Sequence, residues 1–246
     1  MRITVFITAR MKSTRLPEKA LLRFNEKTLI EYQVERLRSI NNIRLIICTS
    51  WLSEDDPLVS LARKIGVEFF RGEPDDVLNR YYNCASRLNL NHYLITYSDE
   101  PFLDLKMIKD SFKIISKSKT PFWIDNSNAI DGTFCYGFNQ DAIRLMLNKK
   151  NSKDTEVWGT HANRLKIPKT SVKQNFRAKK DTVRLTIDYE EDFEVFKILA
   201  KEFFNQKFNV ELHQILEFYI KSELYKINLF RSNDYLERLR IQSQLS

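Results

Sequence analysis

The segment 9–19 concentrates residue types that bind phosphate. It reads Ala-Arg-Met-Lys-Ser-Thr-Arg-Leu-Pro-Glu-Lys and follows the apolar run RITVFIT at 2–8, which predicts a strand. A loop at the carboxyl end of a strand offers backbone N–H groups as well as side chains to an anion. Arginine holds phosphate through paired hydrogen bonds, and lysine acts as a point charge. This segment, the phosphate loop, therefore predicts a triphosphate site neutralised by Arg10, Arg15 and Lys19; a solvated basic loop is the alternative.

The remaining composition limits the metal and cofactor chemistry. The three cysteines form no CxxC pair and the three histidines form no HExxH pattern, so reduced, mostly buried thiols are expected. Any metal is expected to be a hard cation on carboxylates, with Mg²⁺ the default. The phosphate loop matches neither a Walker A sequence nor GxGxxG, so it supports neither a P-loop hydrolase nor a dinucleotide dehydrogenase.

Charge and hydropathy indicate which class of ligand the protein binds and where in the cell it is located. The 246 residues carry 40 Lys and Arg against 32 Asp and Glu, a net charge of +8 that favours anionic partners. The basic residues are spread widely and no nucleic-acid-binding signature is present, so we expect a small anion and no nucleic acid. With no run of about 18 apolar residues and no secretory signal, we predict a cytoplasmic protein without membrane contact.

Strand and helix patterns alternate over the first half of the chain. Near-continuous apolar runs predict strands at 2–8, 43–48, 67–70 and 92–97. Helical spacing predicts helices at 28–40, 54–65, 74–88 and 105–117, the second of them capped near Ser53 or Asp55. This alternation predicts an α/β core whose parallel sheet is covered on both faces.

The alternation breaks after residue 118. Residues 119–181 are polar and turn-rich, with a strand at 134–138, and are interpreted as an inserted region for acceptor binding or dimerisation. The core is predicted to resume with a strand at 182–187 and a helix at 190–203. We therefore expect a main domain over 1–205 and a helical C-terminal extension over 206–246.

Five ordered motifs resemble a known family. The segment ITARMKSTRLPEKAL resembles the opening motif of the cytidylyltransferase family, which includes CMP-Kdo synthetases, acylneuraminate cytidylyltransferases and spore-coat-polysaccharide type enzymes. The further matching segments, which place the chain nearest the spore-coat type, are CTS with EDDPL, FRGEPDDVLNRYY, YSDEPFLD and RLTIDYEEDFEVF. The resemblance covers about residues 2–203.

The resemblance implies both a fold and a reaction. The fold is a glycosyltransferase-A-like α/β nucleotide-binding fold with a mostly parallel mixed sheet. The reaction is magnesium-dependent transfer of CMP from CTP to a small anionic acceptor, a sugar acid or a phosphorylated or phosphonate compound, with release of pyrophosphate. Such enzymes serve surface polysaccharide or glycoconjugate synthesis and are often dimers, so a homodimer is expected.

Two aspartates match the family positions that ligate magnesium. Asp99 follows the predicted strand HYLITYS and Asp188 follows TVRLTI, so both can converge above the sheet although 89 positions separate them. Magnesium needs few protein ligands because water and phosphate oxygens complete its octahedron. The alternative for each residue is a helix cap.

The resemblance also implies the remaining site residues. The catalytic set is Arg10, Lys19, Asp99 and Asp188. The nucleotide-binding set is Ala9, Arg10, Lys12, Ser13, Thr14, Arg15, Lys19, Ser50, Arg71 and Ser98. The acceptor set, drawn largely from the weakly matching region, is Asp76, Arg80, Glu100, Asp131, Tyr136, Glu156, Trp158 and His161.

Some of these residues have alternative roles. Asp76 and Arg80 lie four apart on a predicted helix and could form an exposed ion pair. Trp158 could pack a small core instead of forming an apolar wall for the acceptor, and His161 could cap a turn.

Three positions depart from the family pattern. Lys12, Glu18 and Ser98 stand where the spore-coat type usually has glycine. These changes fit either a specialised acceptor or an inactive relative that serves as an interaction protein. A glycosyltransferase of the same fold class is a further alternative, although the chain has SDEP where such an enzyme would carry a DxD metal motif.

Overall fold

A seven-stranded mixed sheet lies at the centre of the protein. The computed structural model describes residues 2–155, 158–174, 182–205, 207–234 and 237. The strands in this part of the chain are β1 (Ile3–Thr8), β2 (Arg23–Phe24), β3 (Lys27–Thr28), β4 (Ile43–Ser50), β5 (Glu68–Gly72), β6 (His92–Tyr97), β7 (Trp123–Asp125), β8 (Tyr136–Asn139) and β9 (Lys169–Ser171). The sheet order is β5-β4-β1-β6-β8-β7-β9, and β2 pairs with β3 in a small hairpin.

The first four strands of the sheet run parallel, so their carboxyl ends meet at one edge. Thr8 at the end of β1 lies opposite Cys48 of β4 and Tyr97 of β6. The other side of β6 pairs antiparallel with β8, which pairs antiparallel with β7; β7 and β9 run parallel. The described part of 119–181 thus adds three strands to the same sheet.

Helices cover both faces of the sheet. They are α1 (Leu29–Arg38), α2 (Asp56–Lys64), α3 (Val77–Arg87), α4 (Leu105–Ile115), α5 (Gln140–Lys149), α6 (Trp158–Arg164), α7 (Glu190–Phe203), α8 (Leu212–Lys221) and α9 (Tyr225–Asn228). Helix α1 starts where the pattern predicts a helix because Thr28 and Glu31 form a reciprocal capping box. None of the helices in the described residues is long and apolar enough to span a bilayer.

Alternating side chains of β1 enter two different cores. Val5 and Ile7 pack into a cluster with α1, α2 and α4, whereas Phe6 packs on the other face with α3 and α5. A third cluster joins α7 and α8 to Leu29 of α1. Burial on both faces explains why the parallel strands are near-continuous apolar runs, as predicted.

The predicted strand at 182–187 is wrong. This stretch lies outside the sheet: the Leu185 amide donates to the carbonyl of Asp131 at 3.1 Å, and the Ile187 amide donates to that of Asp99 at 3.0 Å. Both edges of β6 are already paired, with β1 and β8, so the segment crosses the loops at the strand ends. Its apolar side chains are buried against α7 and α8.

A glycine allows this crossing segment to approach the loop before β8. Gly132 has φ +84°, and a Cβ there would lie 2.2 Å from the Thr186 amide nitrogen. We expect Gly132→Ala to lower the free energy of unfolding by about 3 kcal/mol or more, because backbone strain adds to a backbone clash. Urea denaturation measures this loss.

Gly66 supplies the matched control. It also has a positive φ, +63°, but nothing lies within 4 Å of a Cβ built on it. Gly66→Ala should therefore cost only about 1 kcal/mol, the left-handed conformational penalty. Equal losses in the two variants would show that close packing at Gly132 contributes nothing.

Candidate functional site

The phosphate loop meets both predicted metal ligands at the carboxyl edge of the sheet. The Lys19 ammonium donates to Asp99 Oδ2 and, at 3.0 Å, to Asp188 Oδ1. The Arg15 guanidinium donates to the same Asp188 oxygen. Asp99 follows β6, and Asp188 ends the crossing segment, so three separate parts of the chain place these charges together.

Burial and charge determine the ionisation of these groups. Burial alone would lower the pKa of Lys19, but the carboxylates of Asp99 and Asp188 outweigh it and raise that pKa. Burial alone would raise the pKa of Asp188, but Lys19, Arg15 and Arg184 together lower it to about 2. Both groups are therefore charged at neutral pH.

Neither aspartate acts as a helix cap. The N-terminus of α4 is capped by Asp104, whose carboxylate accepts from the amides of Lys106 and Met107. The N-cap position of α7 is Tyr189, whose amide donates to Asp192 in the first turn of the helix at 3.1 Å. The carboxylate of Asp99 is thus left to Lys19, and that of Asp188 to Lys19, Arg15 and the buried Arg184.

The other residues of the phosphate loop differ in how far their side chains are exposed to solvent. Ala9 is buried and donates its amide to the carbonyl of Cys48. Arg10 donates to the carbonyl of Pro74 at 3.0 Å. Lys12 and Thr14 are exposed, and Ser13 is half-buried.

A buried carboxylate ties the phosphate loop to the end of β4. Asp55 lies at the N-cap position of α2 but makes no capping bond, which corrects its predicted role. Its Oδ1 accepts from the Met11 amide at 2.7 Å, and its Oδ2 accepts from the amide and the hydroxyl of Ser50. Ser50 is fully buried, so it supports the loop from below instead of facing a nucleotide as predicted.

We expect Asp55→Asn to loosen the phosphate loop. The amide nitrogen would replace an acceptor that now takes hydrogen bonds from loop and strand, costing about 2 kcal/mol of unfolding free energy. Affinity for a nucleoside triphosphate should fall about tenfold, as isothermal titration would measure.

Asp56→Asn is the control for Asp55→Asn. Asp56 is adjacent, but its side chain is 57% exposed in its ion pair with Arg71. This change should shift stability by less than about 0.5 kcal/mol and leave nucleotide affinity unchanged. A similar response of both variants would contradict the loop-anchoring role of Asp55.

Arg71 and Ser98 lie at the strand ends but are engaged with the backbone. Arg71 Nε donates to the carbonyl of Ser50 at 2.9 Å, and its Nη2 donates to that of Leu52 at 2.8 Å. Ser98 is buried, and its amide donates to the carbonyl of Thr8. Both residues join neighbouring strands beside the site.

Asp76 and Arg80 are buried and do not form the exposed ion pair considered above. Asp76 caps α3 and also accepts from Lys150 and from the Thr155 hydroxyl. Arg80 donates to the carbonyls of Glu73 and Pro74. Arg10 donates to the same Pro74 carbonyl, so this cluster is linked to the phosphate loop.

The predicted acceptor role of Trp158 and His161 is corrected by their burial. Trp158 is 3% exposed, donates its indole N–H to the Tyr97 hydroxyl at 2.9 Å and packs edge-to-face on Tyr136. His161 is 2% exposed, and burial lowers its pKa, with Arg164 adding to the effect. Both residues pack the core; Glu156 lies outside the described residues.

Glu100 and Asp131 lie close to the metal-ligand candidates. Burial raises the pKa of Glu100 to about 8, and the charge of Asp99 adds to this shift. The Glu100 carboxylate accepts from the Thr96 hydroxyl at 2.6 Å. Asp131 and Tyr136 are half-buried, and the carbonyl of Asp131 holds the crossing segment.

The sequence analysis missed two residues that hold Asp188. Arg184 is fully buried and donates to Asp188 Oδ2 at 3.1 Å and to both carboxylate oxygens of Asp192. The spacing of four between Arg184, Asp188 and Asp192 is a sequence pattern that indicates ion pairs between them. It was overlooked because the first of them lies in what looked like a strand.

The fold and the site define a class of protein. Cations from a loop after β1 face carboxylates at the carboxyl edge of a mixed α/β sheet, the arrangement of a nucleotidyltransferase. A protein-family model described as cytidylyltransferase matches residues 4–244. The chain belongs to the cytidylyltransferase family, which confirms the resemblance drawn from its motifs. Its reaction is therefore CTP-dependent nucleotidyl transfer.

Relatives and solved structures agree with this assignment. An uncharacterized protein, MJ1063 of Methanocaldococcus jannaschii, is 28% identical over 92% of this chain and 93% of its own length. The spore coat polysaccharide biosynthesis protein SpsF of Bacillus subtilis is 25% identical over 81% of this chain and 87% of its own length. A cytidylyltransferase structure from Leptospira borgpetersenii superposes with a TM-score of 0.80 at 23% identity, covering 93% of this chain and 98% of that one. This likeness confirms the predicted fold.

Proposed function

We propose that the protein transfers CMP from CTP to a sugar acid or to a phosphorylated or phosphonate acceptor, releasing pyrophosphate. The observation that carries this proposal is the contact of Lys19 with both Asp99 and Asp188 beneath the phosphate loop. The similarity to SpsF supports a role in surface polysaccharide or glycoconjugate synthesis. Magnesium dependence, a homodimer and a cytoplasmic location are parts of the same proposal.

The donor set at this edge suits a magnesium ion. Two carboxylates, those of Asp99 and Asp188, reach a common point now held by the Lys19 ammonium. Magnesium typically takes one or two carboxylates and completes its shell with water and substrate phosphates. Bound here, it would supply charge neutralisation for the phosphates of CTP.

The loop cations are proposed to hold the triphosphate. Arg15 and Lys19 form ion pairs with Asp188 and Asp99. A bound polyphosphate would compete for these two cations because it carries more negative charge. Held this way, CTP presents its α-phosphorus for in-line attack. An acceptor oxygen, deprotonated to solvent where it belongs to a hydroxyl, forms the new bond to the α-phosphorus. The bond from that phosphorus to the oxygen bridging to the β-phosphate breaks, and pyrophosphate leaves with its electron pair.

The departures from the family pattern leave this arrangement in place. Lys12 and Glu18 are exposed, so their charges are solvated, and Ser98 is buried at the end of β6. None of the three displaces Arg15 or Lys19 from the carboxylates. This favours a working enzyme over an inactive interaction protein.

Pyrophosphate release tests the proposed reaction. The purified chain is incubated with CTP, Mg²⁺ and a panel of sugar acids, polyol phosphates and phosphonates. We expect release with CTP and at least one acceptor, and no turnover of UDP-sugars. Turnover of UDP-sugars would favour the glycosyltransferase, and CTP binding without turnover of any acceptor would favour the interaction protein.

A further inference from the structure

The C-terminal extension contacts the residues that hold Asp188. In α9, Asn228 Nδ2 donates to Asp192 Oδ1 at 2.9 Å and to the carbonyl of Arg184 at 3.0 Å. In α8, the Tyr219 hydroxyl donates to Asn228 Oδ1 at 2.8 Å. A continuous chain of hydrogen bonds therefore runs from the extension to the crossing segment.

Asp192 connects this chain to Asp188 in two ways. Its carboxylate accepts the Asp188 amide at 3.0 Å, which fixes the backbone of that residue. It also binds the Arg184 guanidinium, whose Nη2 donates to Asp188 Oδ2 at 3.1 Å. The other carboxylate oxygen of Asp188 accepts from Lys19 and Arg15 of the phosphate loop. The position and the direction of the Asp188 side chain thus both depend on Asp192.

The network is buried, so each of its polar groups needs its hydrogen-bond partners. Arg184, Tyr219 and Asn228 are each no more than 1% exposed, and the Asp192 side chain is fully buried. A buried polar network that loses one member leaves the others without partners and free to rearrange. The extension supplies two members of this network: Tyr219 holds Asn228, and Asn228 donates to Asp192 and to the carbonyl of Arg184 in the segment 184–192.

We infer that Asn228 and Tyr219 are positioning residues that hold Asp188 in the orientation needed for metal binding, acting through Asp192 and Arg184. This inference rests on the proposed function, because it assigns Asp188 to the metal. It makes the extension a part of the catalytic unit, although the hydrogen bonds of Asn228 and Tyr219 reach Asp192 and Arg184 and not the phosphate loop.

The test compares Asn228→Ala with Leu224→Ala in the full chain. Leu224 is buried in the same part of the extension, and its apolar side chain makes no hydrogen bond, so its truncation reports general destabilisation. We expect Asn228→Ala to raise the Kd for Mn²⁺, measured by electron paramagnetic resonance with CMP present, about fivefold. The Mg²⁺ concentration for half-maximal turnover should rise by a similar factor. Leu224→Ala should leave both values unchanged.

Further variants keep the test decisive. Tyr219→Phe removes only a hydroxyl and should shift the Kd for Mn²⁺ in the same direction by about twofold, which covers the case in which Asn228→Ala does not fold. Wild-type metal affinity in either folded variant, or an equal shift in Leu224→Ala, would overturn the inference. Asp188→Asn and the wild type are measured in parallel. Normal metal binding in the Asn228 variant beside an inactive Asp188→Asn overturns this inference alone, whereas full activity of Asp188→Asn removes Asp188 from the metal site and the inference with it. Absence of turnover by the wild type with every acceptor overturns the proposed function.

Discussion

An Asp188→Asn variant is expected to lose CMP transfer by on the order of a thousandfold while keeping its fold. Asp188 is the carboxylate on which Lys19, Arg15 and Arg184 converge, and it is one of the two proposed metal ligands. An amide of the same shape removes the charge that a metal ion requires. Asp99→Asn should produce a comparable loss, and both are measured by pyrophosphate release at saturating CTP.

Asp104→Asn is the control for these two changes. Asp104 also lies near the end of β6, but its carboxylate caps α4 and contacts no residue of the phosphate loop. The variant should lose about 1 kcal/mol of stability and keep its rate. Near-normal rates in both Asp99→Asn and Asp188→Asn would remove the carboxylates from the mechanism.

The pKa of Asp188 adds a stability signature to the same variant. The folded-state pKa of about 2 lies below the ordinary 3.8, so the carboxylate contributes stability above pH 3.8 and loses it as pH falls through about 2. Asp188→Asn should therefore be less stable than the wild type at neutral pH, by about 2 kcal/mol. The difference should close in acid, as denaturation at several pH values would show.

A Lys19→Ala variant is expected to bind CTP on the order of a hundredfold more weakly, with a much smaller effect on CMP. The lost ammonium is proposed to follow the charge on the β- and γ-phosphates, which CMP lacks. In the absence of nucleotide the same variant should bind Mn²⁺ more tightly than the wild type. The reason is that Lys19 now occupies the point between Asp99 and Asp188.

Lys12→Ala controls for loss of loop charge. Lys12 belongs to the same loop but is exposed, so its removal should weaken CTP binding only a few-fold. Titration calorimetry with CTP and CMP separates the cases. If Lys19→Ala weakened both nucleotides equally, Lys19 would lie away from the outer phosphates; if Mn²⁺ affinity fell, Lys19 would not compete with the metal.

Much of the fold follows from periodicity, and the exception has a topological cause. The runs at 2–8, 43–48 and 92–97 are apolar because both faces of the sheet are covered, so their pattern identifies them as strands. The run at 182–187 has the same composition and is equally buried. Such a run can join a sheet only where a strand edge is free. Both edges of β6 are already paired, and the local sequence of 182–187 carries no information about that pairing.

The site was predictable to the extent that strand ends determine it. The phosphate loop and Asp99 each follow a strand of one parallel sheet, so their proximity follows from the fold class. The roles of Asp55 and Asn228 do not, because each serves a residue distant in sequence. Trp158 and His161 were misjudged because a polar, turn-rich segment gives no periodicity from which burial can be read.

Glu18 shows how the phosphate loop obtains its shape. Its φ of 52° is left-handed, a conformation that costs a residue with a Cβ roughly 1 kcal/mol. The next residue is Lys19, whose bonds to two carboxylates keep the backbone in this turn. The loop therefore contains a conformational cost that the Lys19 contacts offset. Glycine at position 18 removes this cost without changing the path of the chain, so variants selected for thermal stability are expected to acquire Glu18→Gly.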